Sequence, residues 1–432
     1  MLIYLDNAST TKPCEAAIAA LLDALGGCYG NPSSAHTMGQ DAERLVKRAR
    51  ADIAGLMGAR AEQLVFTGNG TESDNLAFHS VFKNPARLSG RRLIISGVEH
   101  QAVSKPAAYY AGQGVELAVM PVGSTGMVDT EAIEDAIGTA AAAQRTALIS
   151  VMHVNSEVGT IQPVTEIARI KDRVNKRYGA AIALHTDAVQ SFGKLPIDAG
   201  QGGGPGRMTA GESSHSDFSG VDMMSVSAHK LHGPKGIGAL YAMRPEKLGA
   251  LIKGGGQEGG RRSGTENTPG IAGFAAAVNA VADPPSGMNP SEPSHAHRAA
   301  ALRTRLLQGI KDAITDVRVN SPEEASADGA PGYCSPYILN VSFMGARGEV
   351  VLHDLESQGI FVSTGSACSN LGKKSGAAKT DHTLAALGLS PKEAEGAVRF
   401  SLSRYNTEQE IDYTLEHLTK TIKKIRSIGA YR

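Results

Sequence analysis

The sequence predicts an α/β protein built on a mostly parallel sheet, with a second and smaller α+β unit. Short apolar runs alternate along the chain with stretches of helical period, the pattern of strands joined by crossover helices. The apolar runs end in polar residues, GVEH, HVNSE, HTDAVQ and SAHK, and ligands of such sheets collect at the carboxyl ends of the strands. Glycine contributes 50 residues and aromatics only 5%, which favours a loop-rich α/β enzyme over a helical bundle.

Taken in order, residues 43–57 place Leu45, Val46, Ala49, Ile53, Leu56 and Met57 on one face, and Gly58 follows as a stop, so this segment reads as an amphipathic helix. VFTGNGTESDNLAF at 65–78 reads as a strand end, a turn at Gly68 and Gly70, and a helix starting near Thr71, with Thr71 and Asp74 available as caps. RLIIS (92–96), ALISVMHV (147–154), AIALHTD (181–187), DMMSVSA (222–228) and IGALYA (237–242) read as buried strands. Residues 199–220 and 283–297 are rich in Gly, Pro and Ser and read as surface insertions, the second also as a domain boundary. Beyond it, 298–319 is helix-like and 337–343 strand-like; 410–428 is helical with a basic end that suits the negative pole of the helix dipole.

Composition narrows the function. A chain of 432 residues carries 43 basic and 43 acidic residues, so the charge excess of a dedicated nucleic-acid binder is missing. The four cysteines, Cys14, Cys28, Cys334 and Cys368, are far apart and form no CxxC pair, so neither a disulfide framework nor a zinc site is expected. The beginning MLIYLDNASTTKP shows no leader pattern and no stretch reaches the ~18 apolar residues of a membrane span, which predicts a cytoplasmic protein.

Four strand ends carry reactive groups. The Gly68–Gly70 turn with its helix start is a ready anion site, with the Thr71 hydroxyl as a further donor, although it is neither a Walker A loop nor a dinucleotide fingerprint. Ser227, His229 and Lys230 stand together after one strand, where a lysine amine of lowered pKa can form a Schiff base; a solvated surface lysine is the plainer alternative. Asp187 and Gln190 end another strand, and a buried carboxylate there can pair with a protonated pyridine nitrogen or cap a helix. His100 ends a third, suited to stacking on an aromatic ring, to proton transfer or to a structural hydrogen bond. A phosphate turn, a lysine, an aspartate and a histidine at strand ends are together what pyridoxal phosphate requires.

At this point the order of motifs resembles the cysteine desulfurases, class V relatives among the fold type I pyridoxal-phosphate enzymes. The resemblance covers almost the whole chain: YLDNASTT (4–11), GNPSSAH (30–36), FTGNGTESDN (66–75), EHQAV (99–103), VMHVNSEVGTIQP (151–163), HTDAVQSFGK, SAHKLHGPKGIGALY, GGGQEGGRRSGTEN (254–267), GSACS (365–369) and VRFSLSRYNTEQEID (398–412). It implies a large domain over 13–282 with a seven-stranded sheet, a small domain made of 1–12 with 298–432 that carries a long Cys loop at 364–381, and a linker at 283–297. It further implies pyridoxal 5'-phosphate as cofactor, held by Lys230 through a Schiff base, with Asp187 on the ring nitrogen, Gln190 on the ring hydroxyl and His100 stacked above. Gly70, Thr71, Ser227 and His229 would hold the phosphate, Thr265 would reach it from the other subunit of a homodimer, and Asn155 would lie beside the cofactor. Arg399 would clamp the substrate carboxylate with Asn155, near Asn7 and Asn31. Cys368 would take the sulfur of L-cysteine as a persulfide, releasing L-alanine, and pass it to acceptor proteins in iron–sulfur cluster assembly or thiolation; Lys373 and Lys374 are placed to lower its thiol pKa.

The chain departs from the pattern in three places: GNGTES at the phosphate turn, a longer segment between Cys368 and His382, and the 199–220 insertion. A selenocysteine lyase, a Cys-independent lyase or aminotransferase, and a sulfur-relay scaffold without turnover stay open as alternatives, and the end use of the sulfur is not encoded in recognisable residues.

Overall fold

The computed structural model describes residues 1–200, 217–282, 294–323, 333–364 and 382–429. Its strands are β1 (Ile3–Tyr4), β2 (Leu64–Thr67), β3 (Arg92–Ser96), β4 (Glu116–Met120), β5 (Thr146–Ser150), β6 (Ala183–Asp187), β7 (Met223–Ser227), β8 (Gly238–Ala242), β9 (Val317–Val319), β10 (Ile338–Phe343), β11 (Ile360–Phe361) and β12 (Ala397–Ser401). The helices used below are α1 (Glu15–Gly27), α2 (Thr37–Leu56), α3 (Gly70–Phe82), α4 (Gln101–Gly112), α5 (Val164–Tyr178), α6 (Thr268–Ala282), α7 (His295–Ala313) and α8 (Glu408–Ser427).

Seven strands form one sheet in the order β2-β8-β7-β6-β5-β3-β4. β8 runs against both neighbours and the other pairings are parallel, so the reactive strand ends predicted from sequence share one edge. The chain steps outward from β3 to β4, then returns to place β5, β6 and β7 on the other side of β3. That reversal between β3 and β5 opens a crevice at the carboxyl ends, the usual ligand position in such folds. The inner strands read as continuous apolar runs because helices cover both faces: Val46, Ile53, Ile167, Ile170, Val174, Ile271 and Phe274 pack with Ile149, Leu184, Met224 and Tyr241 on one face, and Leu76, Phe78, Val103 and Ala107 with Leu93, Leu148 and Leu240 on the other. β4 did not stand out in the sequence, because as an edge strand it leaves Glu116 and Val119 exposed and lacks a full apolar run.

α5 shows how locally these helices are written. Glu166 lies in its first turn, Lys176 and Arg177 in its last, and Gly179 takes the left-handed conformation (φ 61°) that closes it.

A second core gathers Ile3 and Leu5 with Leu302, Leu306, Leu339, Val341, Val398, Phe400, Leu418 and Ile422 around the antiparallel sheet β12-β10-β9 and the parallel pair β1-β11. Ile3, Leu5 and Asn7 near the start of the chain are therefore packed among residues from its last third, with Asn7 Nδ2 donating to Ser401 O at 2.9 Å.

Two sequence readings are corrected here. The helix predicted over 298–319 starts earlier, at His295, which takes 295–297 out of the expected linker, and it ends at Ala313; Val317–Val319 is the edge strand β9, whose residues are all half-buried. The helix expected near Thr71 starts at Gly70 and is capped by Asn69, whose Oδ1 accepts from Glu72 N at 2.9 Å, while Asp74 is buried inside it. The centres of the 199–220 and 283–297 segments lie outside the described residues. No described helix is long and apolar enough to cross a membrane.

Candidate active site

The turn after β7 delivers Ser227, His229 and Lys230. The first segment of the chain clamps it: Thr11 Oγ1 donates to His229 O at 3.0 Å and accepts from His232 N at 2.7 Å, and His229 Nδ1 lies 3.1 Å from Thr10 Oγ1. Lys230 Nζ donates to Ala8 O at 2.6 Å and Ser9 O at 2.9 Å, and Gln190 Nε2 donates to the same Ala8 oxygen at 2.8 Å. Residues 221 and 222 positions away thus converge on one amine.

The end of β6 supplies Asp187, 8% exposed, whose Oδ1 accepts from Val189 N at 2.9 Å. Burial first, and Asp74 second, push its carboxyl up to about 6. Behind it runs a fully buried row across three strands: Ser150 Oγ to His185 Nδ1 at 2.9 Å, His185 Nε2 to Ser225 Oγ at 3.0 Å, and His185 Nε2 to Asp74 at 3.4 Å. Burial pushes Asp74 up to about 7 and His185 down to about 4, so at physiological pH the imidazole is neutral and the acid lies near its titration midpoint.

His100 caps α4, with Nδ1 accepting from Ala102 N at 3.1 Å. His100 is exposed at the rim of the site; partial desolvation lowers its pKa despite the opposing pull of Asp187, and Lys230 and His382 lower it further. Next to it Glu99 is buried; Oε1 accepts from Ser96 Oγ at 2.5 Å and Met152 N at 3.0 Å. Burial raises Glu99 from 4.5 to about 8. The folded state therefore keeps a proton that the unfolded chain has lost between these values, and stability falls as pH rises through that window. Glu99→Gln is expected to raise the thermal unfolding midpoint by a few degrees at pH above about 8 and to match wild type below pH about 4.5, checked by calorimetry at both ends.

At the start of α3, the amides of Glu72 and Ser73 are taken by Asn69 and that of Gly68 by Glu72 Oε2, while those of Gly70 and Thr71 have no hydrogen-bond partner among the described residues. A Cβ on Gly70 would stand 2.6 Å from Val189 Cγ2 and 3.6 Å from Ser227 Cβ. Ser227 Oγ, buried beside this gap, also has no hydrogen-bond partner. Free amides and a vacant hydroxyl, at a helix start where only a glycine can come this close to Val189 and Ser227, together make an anion cradle. Burial and the neighbouring Lys230 hold His229 down at about 4, so its imidazole is neutral there.

Arg399, 4% exposed on β12, donates from one terminal nitrogen to Ser156 O (2.9 Å) and Glu157 Oε1 (3.0 Å), and from the other to Asp6 Oδ1 (3.0 Å) and Ser9 Oγ (2.7 Å). Neither carboxylate was singled out in the sequence; they come from positions 393 and 242 residues away, and only the fold brings them to the arginine. Asn155 builds the turn that presents Glu157: its Oδ1 accepts from Glu157 N and Val158 N at 2.9 Å and its Nδ2 donates to Val98 O at 3.1 Å. Asn7 is likewise spent on the backbone of Tyr4 and Ser401. Asn31 and Thr265 are exposed and make no hydrogen bond to this cluster among the described residues, and Asn31 Oδ1 accepts from Ser33 N. Thr71 is exposed beside the cradle. Cys368 lies outside the described residues; the segment that carries it enters at Ser363, which exchanges backbone hydrogen bonds with Arg399, and leaves at His382, whose Nε2 lies 2.7 Å from Glu99 O.

This geometry agrees with what the chain matches. The family model for aminotransferase class V aligns with residues 3–204 and 211–414. The protein belongs to this family, in its cysteine desulfurase branch. It is 35% identical over 431 residues to cysteine desulfurase IscS of Dictyoglomus turgidum, covering 100% of this chain and 97% of that one. Among solved structures it resembles a NifS-like protein (TM-score 0.81, 33% identity, 98% of this chain and 100% of the other) and SspA in complex with cysteine (TM-score 0.71, 31% identity, 94% and 100%). The mostly parallel sheet is the one shared by these fold type I enzymes.

Proposed function

We propose that this protein is a cysteine desulfurase that uses pyridoxal 5'-phosphate to convert L-cysteine to L-alanine and passes the sulfur, as a persulfide on Cys368, to acceptor proteins. The observation that carries the reading is the convergence of Lys230, Asp187, Gln190 and the Gly70–Ser227 anion cradle on one sheet edge, in a chain that matches cysteine desulfurases over its length.

The residues fit the cofactor. The cradle offers the Gly70 and Thr71 amides, the vacant Ser227 hydroxyl and a neutral His229 to a phosphate. Asp187 is a buried acid that a protonated ring nitrogen would return to its charged form. Bound there, pyridoxal phosphate supplies a sink for the electron pair released at the substrate α-carbon. Lys230 is the attachment point and the group that moves the α-proton, because its amine is held at the mouth of the cluster. His100, uncharged at neutral pH, is placed to accept a proton from the substrate thiol. Arg399 holds the substrate carboxylate in competition with Asp6 and Glu157, so these two acids limit its affinity. Cys368, as thiolate, attacks the substrate sulfur; the carbon–sulfur bond breaks, its electron pair stays on the carbon skeleton and ends as a C–H bond of alanine, and the sulfur stays on Cys368.

On the same reading residues 13–282 form the cofactor domain and 1–12 with 298–432 the small domain. A homodimer fits the exposed Ile18, Leu22 and Leu25, spaced along one face of α1, and would let Thr265 reach a partner's cradle. Cytoplasmic residence fits the reduced cysteines this chemistry needs. Gly70→Ala is expected to weaken cofactor retention about tenfold or more, read as loss of visible absorbance on dilution, because its methyl group would collide with Val189 and displace the helix start whose amides line the cradle. Alanine formed from L-cysteine tests the reaction itself; selenocysteine turned over in its place would favour the lyase alternative.

A further inference from the structure

The site holds a second amine, on Lys194, that the reaction above leaves without a role. It lies four residues beyond Gln190 and is half-buried. Its Nζ donates to Gln190 Oε1 at 3.3 Å, Gln190 Nε2 donates to Ala8 O at 2.8 Å, and that oxygen accepts from Lys230 Nζ at 2.6 Å. One carboxamide and one carbonyl oxygen join the two lysines. Among the described residues, the charged and titratable groups that act on or feel Lys194 from other elements are Lys230, His229 and His232 from the turn after β7, and Arg399 from β12. The nearby carboxylates Asp6 and Glu157 are paired to Arg399. Two ammonium groups joined through one carboxamide and one carbonyl at half-buried positions repel, and charge on one disfavours charge on the other.

We propose that Lys194 is a positioning residue of the active site: linked to Lys230 through Gln190 and Ala8, it shares a single proton with Lys230 at neutral pH and so makes the Lys230 amine nucleophilic, while it fixes the Gln190 carboxamide. Burial, with Lys230 and Arg399 alongside, pulls the Lys194 amine down to about 7, in the direction this sharing requires. The step served is condensation of neutral Lys230 with an aldehyde, in which a C=N bond replaces C=O, water leaves and nothing is oxidised. The inference rests on the cofactor-attachment reading of Lys230.

The test mixes cofactor-free protein with pyridoxal phosphate and follows the visible absorbance from about pH 6 to about pH 10. Lys194→Met is expected to move the midpoint of the rate profile up by about one pH unit, hence to slow loading about tenfold at neutral pH. Lys194→Gln, which keeps a hydrogen bond to Gln190 without charge, shifts it equally. Lys194→Arg, always charged, leaves the midpoint at or below that of wild type. An unchanged midpoint in the Met or Gln variant, or an Arg variant that behaves like Met, overturns the proposal; should Met fail to fold by circular dichroism, the Gln and Arg profiles decide it. Lys230→Ala separates the two readings: a wild-type profile that survives in that variant overturns the role of Lys230, and the inference about Lys194 with it.

Discussion

Replacing Cys368 by alanine is expected to lower sulfur transfer from L-cysteine by about a thousandfold or more while leaving the visible absorbance of the bound cofactor in place. The expectation follows from a division of labour in the site. In the function proposed above, Lys230, Asp187, Gln190 and the cradle serve the cofactor and are built from the large sheet and the first residues of the chain, whereas the proposed sulfur acceptor, Cys368, belongs to a separate segment. Ser363, five residues before Cys368, is tied by two backbone hydrogen bonds to Arg399. His382, after it, is tied to the carbonyl of Glu99, next to His100. One end of the segment is therefore fastened to the residue that would hold the substrate carboxylate, and the other to the neighbour of the residue that would take the substrate proton. The check is a paired assay of acceptor-bound sulfur and of the cofactor spectrum. Wild-type sulfur transfer by the alanine variant would move the account to a Cys-independent lyase.

Much of this was legible in the sequence, for physical reasons that differ by residue. Ser227, His229, Lys230, Asp187 and His100 end buried strands, and a strand buried on both faces announces itself as a continuous apolar run whose first polar residues mark the ligand edge. The anion cradle was legible because glycine is required where a helix start must approach a ligand; Gly70 has no room for a methyl group, and its cap moved only from Thr71 to Asn69. What escaped notice depends on residues brought together by packing. Asp6 and Glu157 share no periodicity with Arg399 and meet it only because the first segment of the chain is packed among its last strands. Asp74 read as a helix cap, yet it is the end of a buried row with His185, since it points into the sheet from the inner face of α3. Lys194 stood inside a recognised motif, HTDAVQSFGK, but nothing in a linear string marks a lysine whose neighbours in space are cations.

Lys230→Ala is expected to remove the cofactor's visible band from the purified protein and to reduce alanine formation by about four orders of magnitude or more, because it deletes both the proposed attachment point and the proposed carrier of the α-proton. Loss of the amine leaves the carbonyls of Ala8 and Ser9 without that donor at a half-buried position, which carries a modest stability cost of about 1–3 kcal/mol. The fold should persist, since the turn is still held by Thr11 on His229 and His232. Absorbance and circular dichroism on one sample separate the chemical loss from the structural one. A variant that keeps the band would place the attachment elsewhere, and Lys194 would be the first residue to examine.

The central claim is that the residues gathered at this sheet edge release sulfur from cysteine onto Cys368. The most direct measurement is a single-turnover reaction of the cofactor-loaded protein with L-cysteine, with alanine quantified and the peptide containing Cys368 weighed by mass spectrometry. The account predicts one alanine per active site and the mass of one added sulfur atom on that peptide. Alanine without added sulfur on Cys368, or pyruvate and ammonia in place of alanine, would contradict it.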